Sequence, residues 1–149
     1  MFVAIDPSIR YPGMALFDGK ECIDVSCPIV PDKGTDIDRM RNVVSMIEGF
    51  IDDRPIVCLV IETPGFRSWD KSNKKSMYSL HKTIGFIGGY FISMAMQIKE
   101  VDVFEWKRNE DKDSTLWKAR NLYKSAYDMC MIIPDSRRHN AIDAIMIGH

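Results

Sequence analysis

This sequence has no excess charge of either sign. Its 20 Lys and Arg stand against 21 Asp and Glu, for a formal net charge of −1. A nucleic-acid role would therefore need positive charge gathered on one face, because overall basicity cannot supply it. Long apolar runs are also missing. No window of about 18 apolar residues exists, so no helical membrane span is expected. The first apolar run is broken at Asp6, which is not the pattern of a secretory leader, and the cytoplasm is the expected compartment. Cysteine is sparse: the four residues (Cys22, Cys27, Cys58 and Cys130) form no CxxC pair, and reduced, buried thiols are the reading that remains. Repeats, low-complexity tracts and linkers are absent. With 149 residues, 46% hydrophobic and 28% charged, the chain reads as one globular domain, 1–149, long enough to bury a real core.

What is present begins with a strand. Phe2 to Asp6 is an apolar run closed by a single carboxylate, and a Pro/Ser/Gly turn follows it. Gly13 to Phe17 and Glu21 to Cys27 read as two more strands, joined at Asp18-Gly19 in a strong hairpin signal. After a Pro/Gly loop, Thr35 caps a helix with Asp38 at the capping-box position, and Ile37, Met40, Val44, Ile47 and Ile51 follow at helical spacing. Ile56 to Thr63 is nearly all apolar, as expected of a central strand covered on both faces, and Glu62 sits at its end.

The next stretch gathers Phe66, Arg67, Trp69, Lys71, Lys74 and Lys75 against one acid, Asp70, and is the best basic-plus-aromatic patch in the chain. A long helix is expected over 72–98, with Met77, Leu80, Ile84, Ile87, Phe91, Met94 and Ile98 in a heptad-like seam. Gly85, Gly88 and Gly89 in its middle each cost about 1 kcal/mol against alanine, which close approach of another helix would offset. The seam suits packing on the chain's own sheet or a dimer contact equally well. Val101 to Trp106 reads as a strand ending at Lys107, followed by a charged loop. A helix then starts near Ser114, with Leu116, Ala119, Leu122, Tyr123 and Ala126 as its apolar side, and a last helix is capped by Asp135 or Ser136. The order β-β-β-α-β-α-β-α-α implies an α/β fold with a mixed five-stranded sheet, three antiparallel strands and then parallel ones, flanked by helices.

In the last helix His139 and Asn140 can both share a face with Asp143. Asp6, Glu62 and Asp143 all lie in apolar contexts, which points to one shared cluster. Taken singly, each has an ordinary explanation: a turn-forming Asp6, a Glu62 paired with an arginine, an Asp143 paired with Arg137 or Arg138. Together they are carboxylates that would repel one another and raise each other's pKa. A divalent cation removes that penalty, and oxygen ligands favour Mg²⁺ or Mn²⁺. Two ions about 4 Å apart would clamp the attacking and leaving oxygens of a phosphodiester.

This pattern resembles the RuvC-like Holliday junction resolvases of the RNase H-like superfamily. The shared features are Asp6-Pro7 with Gly13 following, an apolar strand closing on Glu62, the segment from Lys107 to Lys118, and a final apolar helix with Asp143. The compact length looks like the shorter phage-encoded members, which would place the protein in a host cytoplasm. The resemblance implies an RNase H-like fold and metal ligation by Asp6, Glu62 and Asp143, with two Mg²⁺ ions per site. The family has Asp or His three residues before the last Asp, and this chain has Asn140 there. Asn140 as a neutral oxygen ligand, an engineered Asp-to-Asn change, or His139 in the ligand role are the alternatives. The resemblance also implies lysines near the scissile phosphate, with Lys107 and Lys118 as the best matches and Lys112 as a rival. An aromatic at the junction centre would be Phe66 or Trp69.

The implied activity is Mg²⁺-dependent endonucleolytic resolution of four-way or other branched DNA, leaving a 5′ phosphate and a 3′ hydroxyl. Arg67, Lys71, Lys74 and Lys75 would hold backbone phosphates. Symmetric cutting needs two sites about a two-fold axis, hence a homodimer, with helix 72–98 as the candidate interface. The competing readings are an RNase H-like nuclease for flaps or hybrids, and a catalytically impaired junction binder in which Asn140 replaces an acid. An actin-like ATPase is disfavoured by the short chain and the missing second Gly-rich phosphate loop.

Overall fold

Side-chain alternation along the first strand divides the interior into two cores. The computed structural model describes residues 1–65, 74–107 and 111–149. Strand β1 (Phe2–Asp6) sends Val3 and Ile5 to one face and Phe2 and Ala4 to the other. With β2 (Gly13–Asp18), β3 (Glu21–Ser26), β4 (Cys58–Thr63) and β5 (Gln97–Asp102) it forms a sheet ordered β3-β2-β1-β4-β5. The β1–β2 and β2–β3 pairs are antiparallel, and β1–β4 and β4–β5 are parallel. This is the mixed sheet expected from the sequence. Gly19 supplies the positive φ, 59°, that the β2–β3 hairpin needs.

Helices α1 (Asp36–Ile51) and α2 (Lys74–Ser93) cover the face that carries Val3, Ile5, Leu16, Leu59 and Ile61. The capping box of α1 is formed as expected: the Asp38 amide donates to the Thr35 hydroxyl, and the Thr35 amide donates to Asp38 Oδ2 at 2.8 Å. Its apolar stripe is Met40, Val43, Val44, Ile47 and Ile51, while Ile37 is left exposed. The other face, with Ala4, Ala15, Phe17 and Val60, lies under helices from the second half of the chain. These follow the short α3 (Val103–Lys107) and are α4 (Lys112–Leu122), α5 (Lys124–Cys130) and α6 (Asp135–Ile147). Cys22, Cys27 and Cys130 are buried in this second core, and burial pushes each thiol up to about 12, so they remain protonated and inert. No helix among the described residues is long and apolar enough to cross a membrane.

Several boundaries differ from expectation for local reasons. The helix expected to reach residue 98 ends at Ser93, because Ala95 turns to a positive φ of 60° and the chain re-enters the sheet as β5. Ile98 kept the seam's spacing but belongs to a strand facing the same core. Met77, Ile84, Ile87 and Phe91 are buried, and Ile84, Ile87 and Phe91 join the sheet's own core, so that side of the helix is not free to form a dimer seam. The glycines point elsewhere: a Cβ built on Gly85, Gly88 or Gly89 meets nothing within 4 Å.

The strand expected over Val101 to Trp106 lies four residues earlier. Asp102 Oδ1 accepts from the Phe104 amide at 2.8 Å, and this cap starts α3 despite the β-favouring side chains there. The helix expected near Ser114 begins at Lys112, with Asp111 as its cap, and breaks at Tyr123, which assigns Ala126 to α5. Pro134, rather than Asp135 or Ser136, occupies the N-cap of α6, and Asp135 pairs with Arg138.

Helix α6 packs across β1 and β2, and Gly13 permits the approach. A Cβ at Gly13 would overlap the backbone carbonyl of Asn140. Gly13→Ala should therefore cost at least about 2 kcal/mol in urea denaturation, since neither backbone can move away without disturbing the core; a cost below about 0.5 kcal/mol would contradict this docking.

Candidate active site

Period two along the strands places Asp6 after Ala4 and Glu62 after Val60, both on the α6 side of the sheet. Ile5 pairs with Ile61 in parallel register, so the two acids close adjacent strands. Asp143 arrives from α6, which crosses the same strands. The three carboxylates act on one another. Burial holds Asp6 well above the usual carboxylate range, and Glu62 and Asp143 push it further while Lys107 opposes them. Glu62 is pushed up to about 7 by burial and then by Asp143, again against Lys107, with a smaller upward push from Asp102. Asp143 is raised by burial and partly relieved by Lys107, His139 and Lys112. The structure thus places the three sequence-predicted acids within electrostatic reach of one another at one end of the sheet.

Lys107 closes the arrangement. Its Nζ is 3.6 Å from Asp143 Oδ2 and 5.0 Å from the centroid of the Trp106 ring. The two charged side chains are only 24% and 20% exposed, so their attraction is screened less than a surface pair's. The arginines that could have claimed Asp143 are occupied elsewhere. Arg137 donates to the Cys27 carbonyl, and Arg138 donates to the carbonyls of Cys130 and Ile133.

The remaining predicted residues divide. Lys112, Thr115, Leu116, His139, Ile142 and Asp143 share a cleft of about 200 Å³, so Lys112 and His139 stand beside Asp143. Lys118 lines a different cleft of about 490 Å³, with Lys99, Trp106 and Leu122. Asn140 is buried, and its Nδ2 donates to the Tyr11 carbonyl at 2.6 Å, which ties α6 to the loop between β1 and β2. Lys74 and Lys75 are exposed at the start of α2. Phe66, Arg67, Trp69 and Lys71 lie outside the described residues. Sequence reading missed Asp102 as a neighbour of Glu62. The signal was present in an acid beside an apolar run, but the strand's end was misplaced by four residues.

The donor set suits a hard divalent cation: three carboxylates whose mutual repulsion such an ion would relieve. Among the described residues, no three His, Cys, Asp or Glu side chains are already grouped closely enough to hold one. An ion would have to draw the carboxylates inward, and Lys107 is the counter-charge they have without it.

No family model matches the sequence, and no curated protein matches it. Solved structures do. Thermus thermophilus RuvC in complex with a Holliday junction substrate is 11% identical, with a TM-score of 0.71 over 98% of this chain and 90% of that one. A second structure of Thermus thermophilus RuvC gives 12% identity and a TM-score of 0.69 over 98% and 91%. The yeast mitochondrial Holliday junction resolvase Ydc2 gives 9% identity and a TM-score of 0.67 over 99% of this chain and 75% of that one. The fold is RNase H-like. Its strand order and flanking helices are those expected from the sequence, and the likeness at such low identity lies in the backbone alone.

The raised carboxylates predict a pH dependence whose sign is fixed. A carboxylate with a higher pKa folded than unfolded binds more protons in the folded state, so stability falls as pH rises from its unfolded value, near 4.5, to about 7 for Glu62. In EDTA the melting temperature should drop across that window, at a rate of up to about 1.4 kcal/mol per pH unit for one proton. Glu62→Gln should flatten much of the slope. A melting temperature that rises with pH over this range would refute the shared burial of these acids.

Proposed function

We propose that this chain is a structure-selective endonuclease that resolves four-way or other branched DNA junctions by metal-assisted phosphodiester hydrolysis. The observation that carries the reading is the meeting of Asp6, Glu62 and Asp143 beside Lys107 at one end of an RNase H-like sheet. The structural neighbour bound to a Holliday junction substrate supports the choice of DNA. Asp6, Glu62 and Asp143 would hold Mg²⁺, with Mn²⁺ as a substitute. Bound there, the cation supplies Lewis-acid stabilisation of charge building on the phosphate oxygens. Lys107 and Lys112 add fixed positive charge at the same place and favour the leaving 3′ oxygen. The half-buried setting makes those charges count for more than they would in water. Lys74 and Lys75 contact backbone phosphates without reading sequence.

Paired cuts in a four-way junction require two such sites, and we propose a homodimer to supply them. The surface available to it is the outer side of α2, where Tyr78 and Ile92 are 60% and 61% exposed on either side of the open glycines. Gly89→Glu adds a charge where nothing in the monomer stands in its way. It should halve the mass seen by light scattering and leave circular dichroism unchanged. An unchanged dimer mass would rule out this face.

A second reading, a junction binder with little or no cleavage, is favoured by the engagement of Asn140 with Tyr11. A nuclease for flaps or hybrids would use the same site. A panel of four-way junction, flap, RNA–DNA hybrid and linear duplex with Mg²⁺ separates the three. The resolvase reading expects cutting of the junction, none of the linear duplex, and a loss of at least about 100-fold in Asp6→Asn, Glu62→Gln and Asp143→Asn. Lys112→Ala should cost about 10-fold or more and Lys118→Ala less than about 2-fold. Equal cutting of linear duplex would overturn the proposal, and junction binding without cutting would establish the binder.

A further inference from the structure

We infer that the cleft of about 490 Å³ between β5, α3, α4 and the end of α6 is a second binding site, for a nucleobase that carries a phosphate. Its described lining contains none of Asp6, Glu62, Asp143, Lys107 or Lys112, which makes it independent of the nuclease reading.

The cleft follows from how the helices cover the sheet. Strand β5 is an edge strand, and α6 packs mainly across β1 and β2, two and three strands away. The helix that leaves β5, α3, is only five residues long. This face of β5 is therefore left partly open. Period two along the strand turns Lys99 and Val101 into the opening, while Ile98 packs into the opposite core. Leu122 from α4 and Ile147 from α6 complete its apolar lining. The volume lies within the usual range for a small-ligand pocket, roughly 300–1,000 Å³.

Three features of the lining define the ligand. The apolar side chains and the Trp106 ring suit a flat ring system. Lys99 and Lys118 bring positive charge from two different elements, against one acid, Glu105, and ammonium groups make strong hydrogen bonds to phosphate. The indole N–H of Trp106 is buried with no acceptor among the described residues. A buried donor left unpaired is costly, and an acceptor brought against this wall would meet it. A nucleobase offers ring-nitrogen and carbonyl acceptors, which a plain aromatic ring lacks. The same chemistry comes from a free mononucleotide or from an unpaired nucleotide in a DNA strand. Trp106 also lies 5.0 Å from Lys107 Nζ, measured to its ring centroid, so a strand held at the carboxylates would pass close to the cleft.

Nuclear magnetic resonance of the ¹⁵N-labelled wild-type protein in EDTA tests this without any metal. Deoxyadenosine monophosphate should shift the indole signal of Trp106 saturably and leave that of Trp117, exposed on α4, unmoved. Deoxyadenosine and phenyl phosphate should each bind at least about 10-fold more weakly, and inorganic phosphate should leave the indole signal in place. Lys99→Glu and Lys118→Glu should each weaken binding at least about 10-fold with circular dichroism unchanged. A single strand of about five nucleotides separates the two sources. Binding tighter than that of the monophosphate assigns the cleft to a nucleotide within DNA, and binding no tighter assigns it to the free nucleotide. No saturable shift up to about 10 mM monophosphate, binding that survives both lysine changes, or equal binding of phenyl phosphate would overturn the inference. Cleavage plays no part in these measurements, so the nuclease reading can fail while the cleft binds nucleotide, and the reverse.

Discussion

Three half-buried carboxylates within electrostatic reach of one another are the constraint on which this structure turns. Each would be cheap to bury only as a neutral acid: burial raises all three, and Asp6 and Glu62 are raised further by their acidic neighbours. A fold that needed nothing from them would have placed apolar side chains there, as it does at every other inward position of β1 and β4. Lys107 relieves the arrangement in part, and the cost that remains is what a divalent cation would remove. The end of the sheet is thus unstable in isolation in a way that favours binding positive charge.

The same constraint explains why the docking of α6 is so rigid. Asp143 is useful only if the helix that carries it is fixed to the strands that carry Asp6 and Glu62. Contact between Gly13 and Asn140, the amide bond to Tyr11, and the burial of Ala141, Ile142, Ala144 and Ile145 on both sides of Asp143 fix it. Arg138 ties the helix back to the carbonyls at the end of α5. None of these groups needs to touch a substrate to matter, because a shift of a few tenths of an ångström in α6 would change the distance from Asp143 to both of the other acids.

Much of this was legible in the sequence because it depends on periodicity. The alternation of β1, the unbroken apolar run of β4 and the capping box of α1 are local signals, and the sheet that follows from them is the one observed. That Asp6, Glu62 and Asp143 would influence one another was also legible, because an acid in an apolar context is costly wherever it falls. What was not legible depended on single residues overriding their neighbours. Asp102 caps α3 and cuts short a run of strand-forming side chains, and Ala95 turns the chain at a point where the heptad spacing continues to Ile98. Both shifts matter for the site, since one hid Asp102 and the other made the buried side of α2 look available to a partner.

The placement of the lysines shows how position along a helix decides a side chain's surroundings when residue type cannot. Lys112 and Lys118 lie on the same helix, and spacing alone does not rank them. Because α4 begins at the Asp111 cap, Lys112 falls in its first turn, next to the cleft with Asp143, while Lys118 lies roughly 9 Å further along the axis and opens on another cleft. A helix beginning at Ser114, as the sequence suggests, would have left Lys112 in a loop and given Lys118 the stronger claim. The cap at Asp111 therefore decides which of the two α4 lysines lies beside Asp143, where it adds a small influence to that of Lys107.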